Sequence, residues 1–179
     1  MKNTIRLLTS SSLLISLIAC GTAMKAPMVD PAITVPNGHQ LVMSALGSGD
    51  LTYECKAKAA MPDTFEWSFV GPVAGLTDKN GIAVGKYYGG PTWESNDGSR
   101  VTGKQLAVVP GNPGSIPLQL VKTNGGTGTG AMGAMSDISY IQRLNTVGGI
   151  APTDNCSNDN LGAKKMVKYQ ADYLFYKPN

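Results

Sequence analysis

Apolar and polar positions alternate with a period of two along much of the chain. Leu51, Tyr53 and Cys55 share one face of a stretch whose other face is Thr52, Glu54 and Lys56, the signature of a half-buried strand. Phe65-Glu66-Trp67-Ser68-Phe69 repeats the pattern with its aromatics inward, and Gly71-Pro72 is its expected end. Near the C-terminus Val167, Tyr169, Ala171, Tyr173 and Phe175 alternate with Lys168, Gln170, Asp172 and Leu174, which predicts a long closing strand. Further strands are expected over Gln40–Leu46, Ile82–Tyr88, Thr92–Glu94, Arg100–Val109 and Ile116–Thr123, while Val73–Leu76 is too short to classify. Ile138–Thr146 fits either period, and its β-branched residues favour a strand. Between these runs lie turn residues: Thr77 to Gly81 with its Asn-Gly pair, Asn96-Asp97-Gly98-Ser99, and Pro110 to Gly114.

Composition points the same way. With 22 Gly, 11 Pro and 15% charged residues, the chain suits short strands joined by turns. The expected fold is all-β, an antiparallel sandwich or flattened barrel of about eight to ten strands, in a single domain over residues 37–179.

The N-terminus carries an address. Lys2 and Arg6 precede an apolar stretch, Leu7 to Ile18, that ends at Ala19-Cys20; residues 1–19 read as a secretory signal peptide, too short and wrongly flanked for a membrane span. Leu17-Ile18-Ala19-Cys20 resembles the lipobox of bacterial lipoproteins, which makes Cys20 the expected lipidation site, with cleavage after Ala23 as the alternative. Gly21 follows the cysteine, so the resemblance implies the outer membrane in a host with two membranes; without the lipid the protein is expected to be secreted. Residues 20–36, with Pro27, Pro31 and Pro36, read as a lipidated tether. The expected partners are then the membrane, through the N-terminal anchor, and a cell-wall polymer or envelope protein. Loss of Lys2 and Arg6 lowers the 15 basic residues to 13 against 12 acidic, a net charge of +1, so no nucleic-acid partner is expected. Cys55 and Cys156 are left in an oxidising compartment and are expected to pair. One histidine, His39, and no CxxC leave no metal site expected.

Candidate chemistry concentrates in Gly85 to Gly103. Tyr88, Trp93, Glu94 and Asp97, together with Arg143, are the candidate binding residues, an amphipathic patch in which aromatics supply area and charges supply orientation. The alternative is a carbohydrate-active hydrolase using Glu94 and Asp97 as its two carboxylates. The same residues also fit a plain hairpin whose aromatics plug a core. A Ser-His-Asp site is not supported, because His39 lies near the tether and no GxSxG elbow exists. Gly128 to Gly133 matches GxGxxG, but no βαβ unit surrounds it, so a glycine hairpin loop is expected and neither nucleotide nor other cofactor is. Asp154 to Asn160 lacks the order of a calcium loop.

Taken in order, Tyr53-Glu54-Cys55-Lys56, the Phe65/Trp67/Phe69 strand with Gly71-Pro72, and Gly90-Pro91-Thr92-Trp93-Glu94 form a set that continues through Asp97-Gly98-Ser99. Ile141 to Thr146 with Gly148-Gly149, Cys156 and Tyr169 to Tyr176 complete it. The set resembles the family called domain of unknown function 3455 and covers the mature domain from about Pro36. The resemblance implies a secreted or envelope protein and supports the pairing of the two cysteines; it implies no reaction. Family members carry His where this chain has Tyr87, and Trp where it has Leu118.

Overall fold

The computed structural model describes residues 24–127 and 133–179. The expected signal peptide, the expected lipidation site Cys20 and most of the glycine motif at 128–133 lie outside the described residues. Eight strands run in order: β1 (His39–Lys58), β2 (Met61–Thr77), β3 (Ala83–Tyr88), β4 (Thr92–Ser95), β5 (Arg100–Val109), β6 (Leu118–Thr127), β7 (Tyr140–Gly148) and β8 (Lys164–Pro178). Each pairs antiparallel with its neighbour in sequence, and β8 returns to β1, so the sheet closes on itself as a ring. Closure removes the free edges an open sheet would expose. The ring is uneven, with 20 residues in β1 and 4 in β4.

The alternation read along β1 and β8 is the alternation the ring uses. Leu51, Tyr53, Cys55, Tyr169, Ala171, Tyr173 and Phe175 point into one buried cluster. Ile138 to Thr146 holds β7, a strand, as its β-branched content indicates. Two expected breaks do not occur. Gln40–Leu46 and Leu51–Lys56 are one continuous strand, because Gly47 and Gly49 act as points of close approach. A Cβ on Gly47 would sit 2.5 Å from the Tyr173 ring, and one on Gly49 would sit 2.1 Å from the Val73 carbonyl. Likewise β2 passes through Gly71-Pro72 instead of ending there. Its pairing with β1 shifts between Thr52 and Tyr53, leaving Val70 as an extra residue. Pairing with β3 begins only at Val73, so on that side Pro72 owes the ladder no donor.

Beyond the end of β3 three strands continue as an extension: β1 through Tyr53 to Lys58, β2 from Met61 to Phe69, and the first residues of β8. Cys55 and Cys156 are joined by a disulfide that ties this extension to the loop before β8. The loop is held further by Trp67 Nε1, which donates to the Asp154 carbonyl at 2.9 Å. In the same loop Asn160 Oδ1 accepts from the Ser157 amide at 2.7 Å and its Nδ2 donates to the Asn155 carbonyl, so the DNCSNDN run spends oxygen atoms on its own backbone.

A second apolar cluster covers part of the outside of the ring. Leu41, Leu120, Leu144, Leu174 and Tyr176 face outward and are roofed by Ile33, which is 0% exposed. Gln142 Nε2 donates to the Ile33 carbonyl at 2.7 Å, and Tyr176 donates to Gln142 Oε1 at 2.5 Å. Burial pushes the Tyr176 phenol up to about 12. The part of the tether region around Ile33 is therefore docked on the domain, because a β-strand buried on both faces needs cover on its outer side as well. No helix among the described residues is long and apolar enough to cross a membrane.

Candidate functional site

The β3–β4 hairpin sorts its side chains by parity. Tyr87 and Trp93 lie opposite one another, as do Lys86 and Glu94, so the first pair faces inward and the second outward. Trp93 is 1% exposed, stacks on Tyr87 with ring centroids 4.8 Å apart, and meets Tyr173 edge-on. It is therefore core, out of reach of any surface ligand. Its Nε1 has no hydrogen-bond acceptor among the described residues. On the outer face Tyr88 donates a hydrogen bond to Glu94, and Lys86 lies 3.1 Å from the same carboxylate. The Tyr88 hydroxyl, with Lys86 beside it, holds Glu94 below the usual carboxylate range.

Asp97 works on the β4–β5 turn. Its Oδ1 accepts from the Ser99 amide at 2.8 Å and from the Ser99 hydroxyl at 2.5 Å, and its Oδ2 accepts from the Ala134 amide at 2.7 Å. Ser99 Oγ in turn accepts from Met135 N at 3.0 Å. These donors, the Ser99 hydroxyl foremost, pull the Asp97 carboxyl down to about 2. Gly98, with φ of 83°, supplies the left-handed residue this turn requires. Asp97 thus fastens the turn to the segment entering β7.

Arg143 belongs elsewhere. The register places it opposite Gln119 on β6 and Tyr173 on β8, two residues from inward-facing Ile141, so it points into one end of the ring. There a cavity of about 490 Å³ opens. Its floor is Leu51, Tyr53, Tyr87 and Ile116; its walls are Phe69, Gln105, Gln119 and Arg143; Gly89, Gly90, Pro91 and Lys104 edge the opening. Phe69, on the inward face opposite Tyr53, is 55% exposed because it stands on the extension beyond β3. Tyr53 donates to the Gly149 carbonyl at 2.6 Å and Gln119 donates to Gln105 at 2.7 Å. Arg143 donates through Nε and one Nη to the Pro117 carbonyl at 3.2 and 2.9 Å.

The structure therefore divides the five candidate residues among four places. Tyr88 and Glu94 share the outer face, Trp93 fills the interior, Asp97 ties a turn, and Arg143 lines the mouth of the ring. The mouth residues Tyr53, Phe69, Tyr87, Gln105 and Gln119 were not assembled by sequence reasoning. A signal for them exists in the parity, since Arg143, Gln119 and Gln105 are polar residues on faces otherwise occupied by Ile141 and Val121. Burial raises the phenols of Tyr53, Tyr87, Tyr169 and Tyr173, and in each the Arg143 charge acts in the opposite direction. No group of three His, Cys, Asp or Glu among the described residues is placed to hold a metal ion.

Residues 36–177 match the family model described as Protein of unknown function (DUF3455). No curated protein and no solved structure matches the chain.

Proposed function

The chain belongs to that DUF3455 family, whose description assigns no reaction, and from this premise we propose a noncatalytic binding module of the cell envelope that takes its ligand at the mouth of the ring. The observation that carries the reading is the cavity of about 490 Å³ with its aromatic and aliphatic floor and a few convergent polar groups, the usual form of a small-molecule site in a β-barrel mouth. The envelope location rests on the signal-like N-terminus and on Leu17-Ile18-Ala19-Cys20. Intact mass of the mature protein, with lipid mass on Cys20 expected, tests it; a chain beginning after Ala23 overturns the anchor and leaves a secreted protein.

The hydrolase reading has little to stand on. A pair of glycosidase carboxyls needs one that is protonated at working pH, and both Glu94 and Asp97 are held ionised by their neighbours. The binding reading is tested by titrating the mature protein with N-phenyl-1-naphthylamine, a neutral apolar fluorophore. Saturable binding is expected, weakened in Phe69→Ala and in Gly90→Trp, where an added Cβ meets nothing within 4 Å. No saturable binding, or binding that neither substitution changes, overturns the mouth as the site.

A further inference from the structure

The mouth differs in charge from the other two large depressions, one of which, about 540 Å³, has Lys168 as its one charged lining residue, already paired with Asp50 at 2.9 Å. The groove along the docked N-terminal segment, about 560 Å³, is lined by Lys25 and Lys79 but also by Asp30, Asp78 and Asp172. The mouth has Arg143 and Lys104 and no carboxylate. Among the described residues Arg143 forms no ion pair, and the segments outside them contain neither Asp nor Glu. Two of its nitrogens share one carbonyl oxygen, that of Pro117. A guanidinium carries five N–H donors, so several remain for a ligand. A half-buried cation satisfied by one neutral acceptor is electrostatically incomplete, and an anion is what completes it.

We infer that the mouth takes a small organic monoanion with a flat apolar body, its carboxylate on Arg143 and its body against Phe69, Tyr53 and Tyr87. This rests on the reading of the mouth as a binding site and adds the chemical class of what it holds. The volume suits a compact ligand, since sites for such molecules run from about 300 to 1,000 Å³. Phe69 offers an exposed ring in the wall, and Tyr53 is fixed at its hydroxyl by Gly149, so its ring is held as part of the floor. Gln119 Nε2 donates to Gln105 Oε1, which fixes the two side chains against each other and leaves the Gln105 amino group as a further donor. Lys104 at the opening adds long-range attraction for the approaching anion.

The test uses a matched pair, 2-naphthoate and 2-naphthamide, which differ in charge and hardly in shape, titrated calorimetrically into the mature protein. At low ionic strength 2-naphthoate is expected to bind at least about tenfold more tightly, as a charge-assisted hydrogen-bonded pair requires. Added salt narrows the gap. Arg143→Gln brings the two affinities together, while Arg143→Lys keeps part of the preference because it keeps the charge and loses the fork. Lys104→Gln, away from the Pro117 anchor, reduces the preference by a smaller factor and keeps the question open to test if Arg143→Gln fails to fold. Equal affinities in the unsubstituted protein, unchanged by salt, overturn the anion class and leave the mouth a binding site. Failure of both naphthalene probes and of N-phenyl-1-naphthylamine overturns the site itself.

Discussion

The β3–β5 hairpins and the mouth of the ring are built from adjoining strands, yet their charges are in opposite conditions. At the hairpins every carboxylate has donors: Glu94 has Tyr88 and Lys86, and Asp97 has Ser99 and the Ala134 amide. In the mouth Arg143 has a single carbonyl oxygen. A dense motif in sequence is thus not the place with unspent interaction capacity. Where acidic and turn residues crowd together in a short hairpin, they satisfy one another, because neighbours in a hairpin are the first partners each can find; the buried Trp93 Nε1 is an exception. The capacity to bind is left where distant strands bring polar groups to a concave end that the chain itself does not fill.

The largest test of this contrast is Trp93. As a core residue stacked on Tyr87, its replacement by alanine is expected to destabilise the fold by about 3 to 5 kcal/mol, measured by urea unfolding. A Trp93→Ala protein of native stability would return Trp93 to the surface and dissolve the distinction. Next comes the disulfide. Removing Cys55 and Cys156 together frees a closed loop of sequence separation 101 and is expected to cost up to about 4 to 5 kcal/mol on the chain-entropy model. Because Tyr53 and Phe69 stand on the extension it ties down, 2-naphthoate affinity should fall too, while amide exchange at Ser99 should not change. Equal loosening of both regions would show that the disulfide acts on the ring as a whole.

The two regions should also divide by pH. The buried phenols of Tyr87, Tyr169, Tyr173 and Tyr176 ionise above their ordinary value of 10.0. The folded state therefore keeps protons that the unfolded state gives up, so stability is whole below pH 10 and falls as pH rises toward about 12, the raised value of Tyr176. In a Tyr88→Phe, Tyr140→Phe background, which removes the two partly exposed phenols, tyrosinate absorbance should appear together with loss of near-ultraviolet circular dichroism; its appearance in a folded protein would contradict the burial. For Asp97 the sign is reversed. Its carboxyl drops from 3.8 to about 2, so its contribution is present above pH 3.8 and disappears between there and about 2. Asp97→Asn should flatten the acid limb of a melting-temperature profile, with no change in probe binding. The smallest effect is expected from Glu94→Gln, an outward-facing pair of the kind that contributes little: stability nearly unaltered and 2-naphthoate affinity the same. A loss of binding in Glu94→Gln would move the site back to the hairpin.

Much of the fold was legible. Alternation in β1, β2 and β8 named the inward faces, the Asn-Gly and Asp-Gly turns fell where hairpins turn, and the two cysteines paired. Strand ends were less so. Gly47, Gly49 and Gly71-Pro72 carry the composition of a turn, and in the structure they mark close approach and a bulge, two uses of glycine that a single strand read alone does not separate. Of the candidate site, Arg143 reached the mouth while Trp93, Tyr88, Glu94 and Asp97 were placed by local pairing.

What the amino-acid sequence determined by itself is periodic and local: an all-β chain, which residues share a face, and where it turns. What the tertiary structure alone decided is which face is inside at β3 and β4, and which residues from β1, β2, β3, β5, β6 and β7 meet at one end of the ring. The reason is that inwardness depends on register between strands. Parity along one strand says only that Trp93 and Glu94 point opposite ways; the pairing of Tyr87 with Trp93, and the closure of β8 on β1, say which of them water reaches.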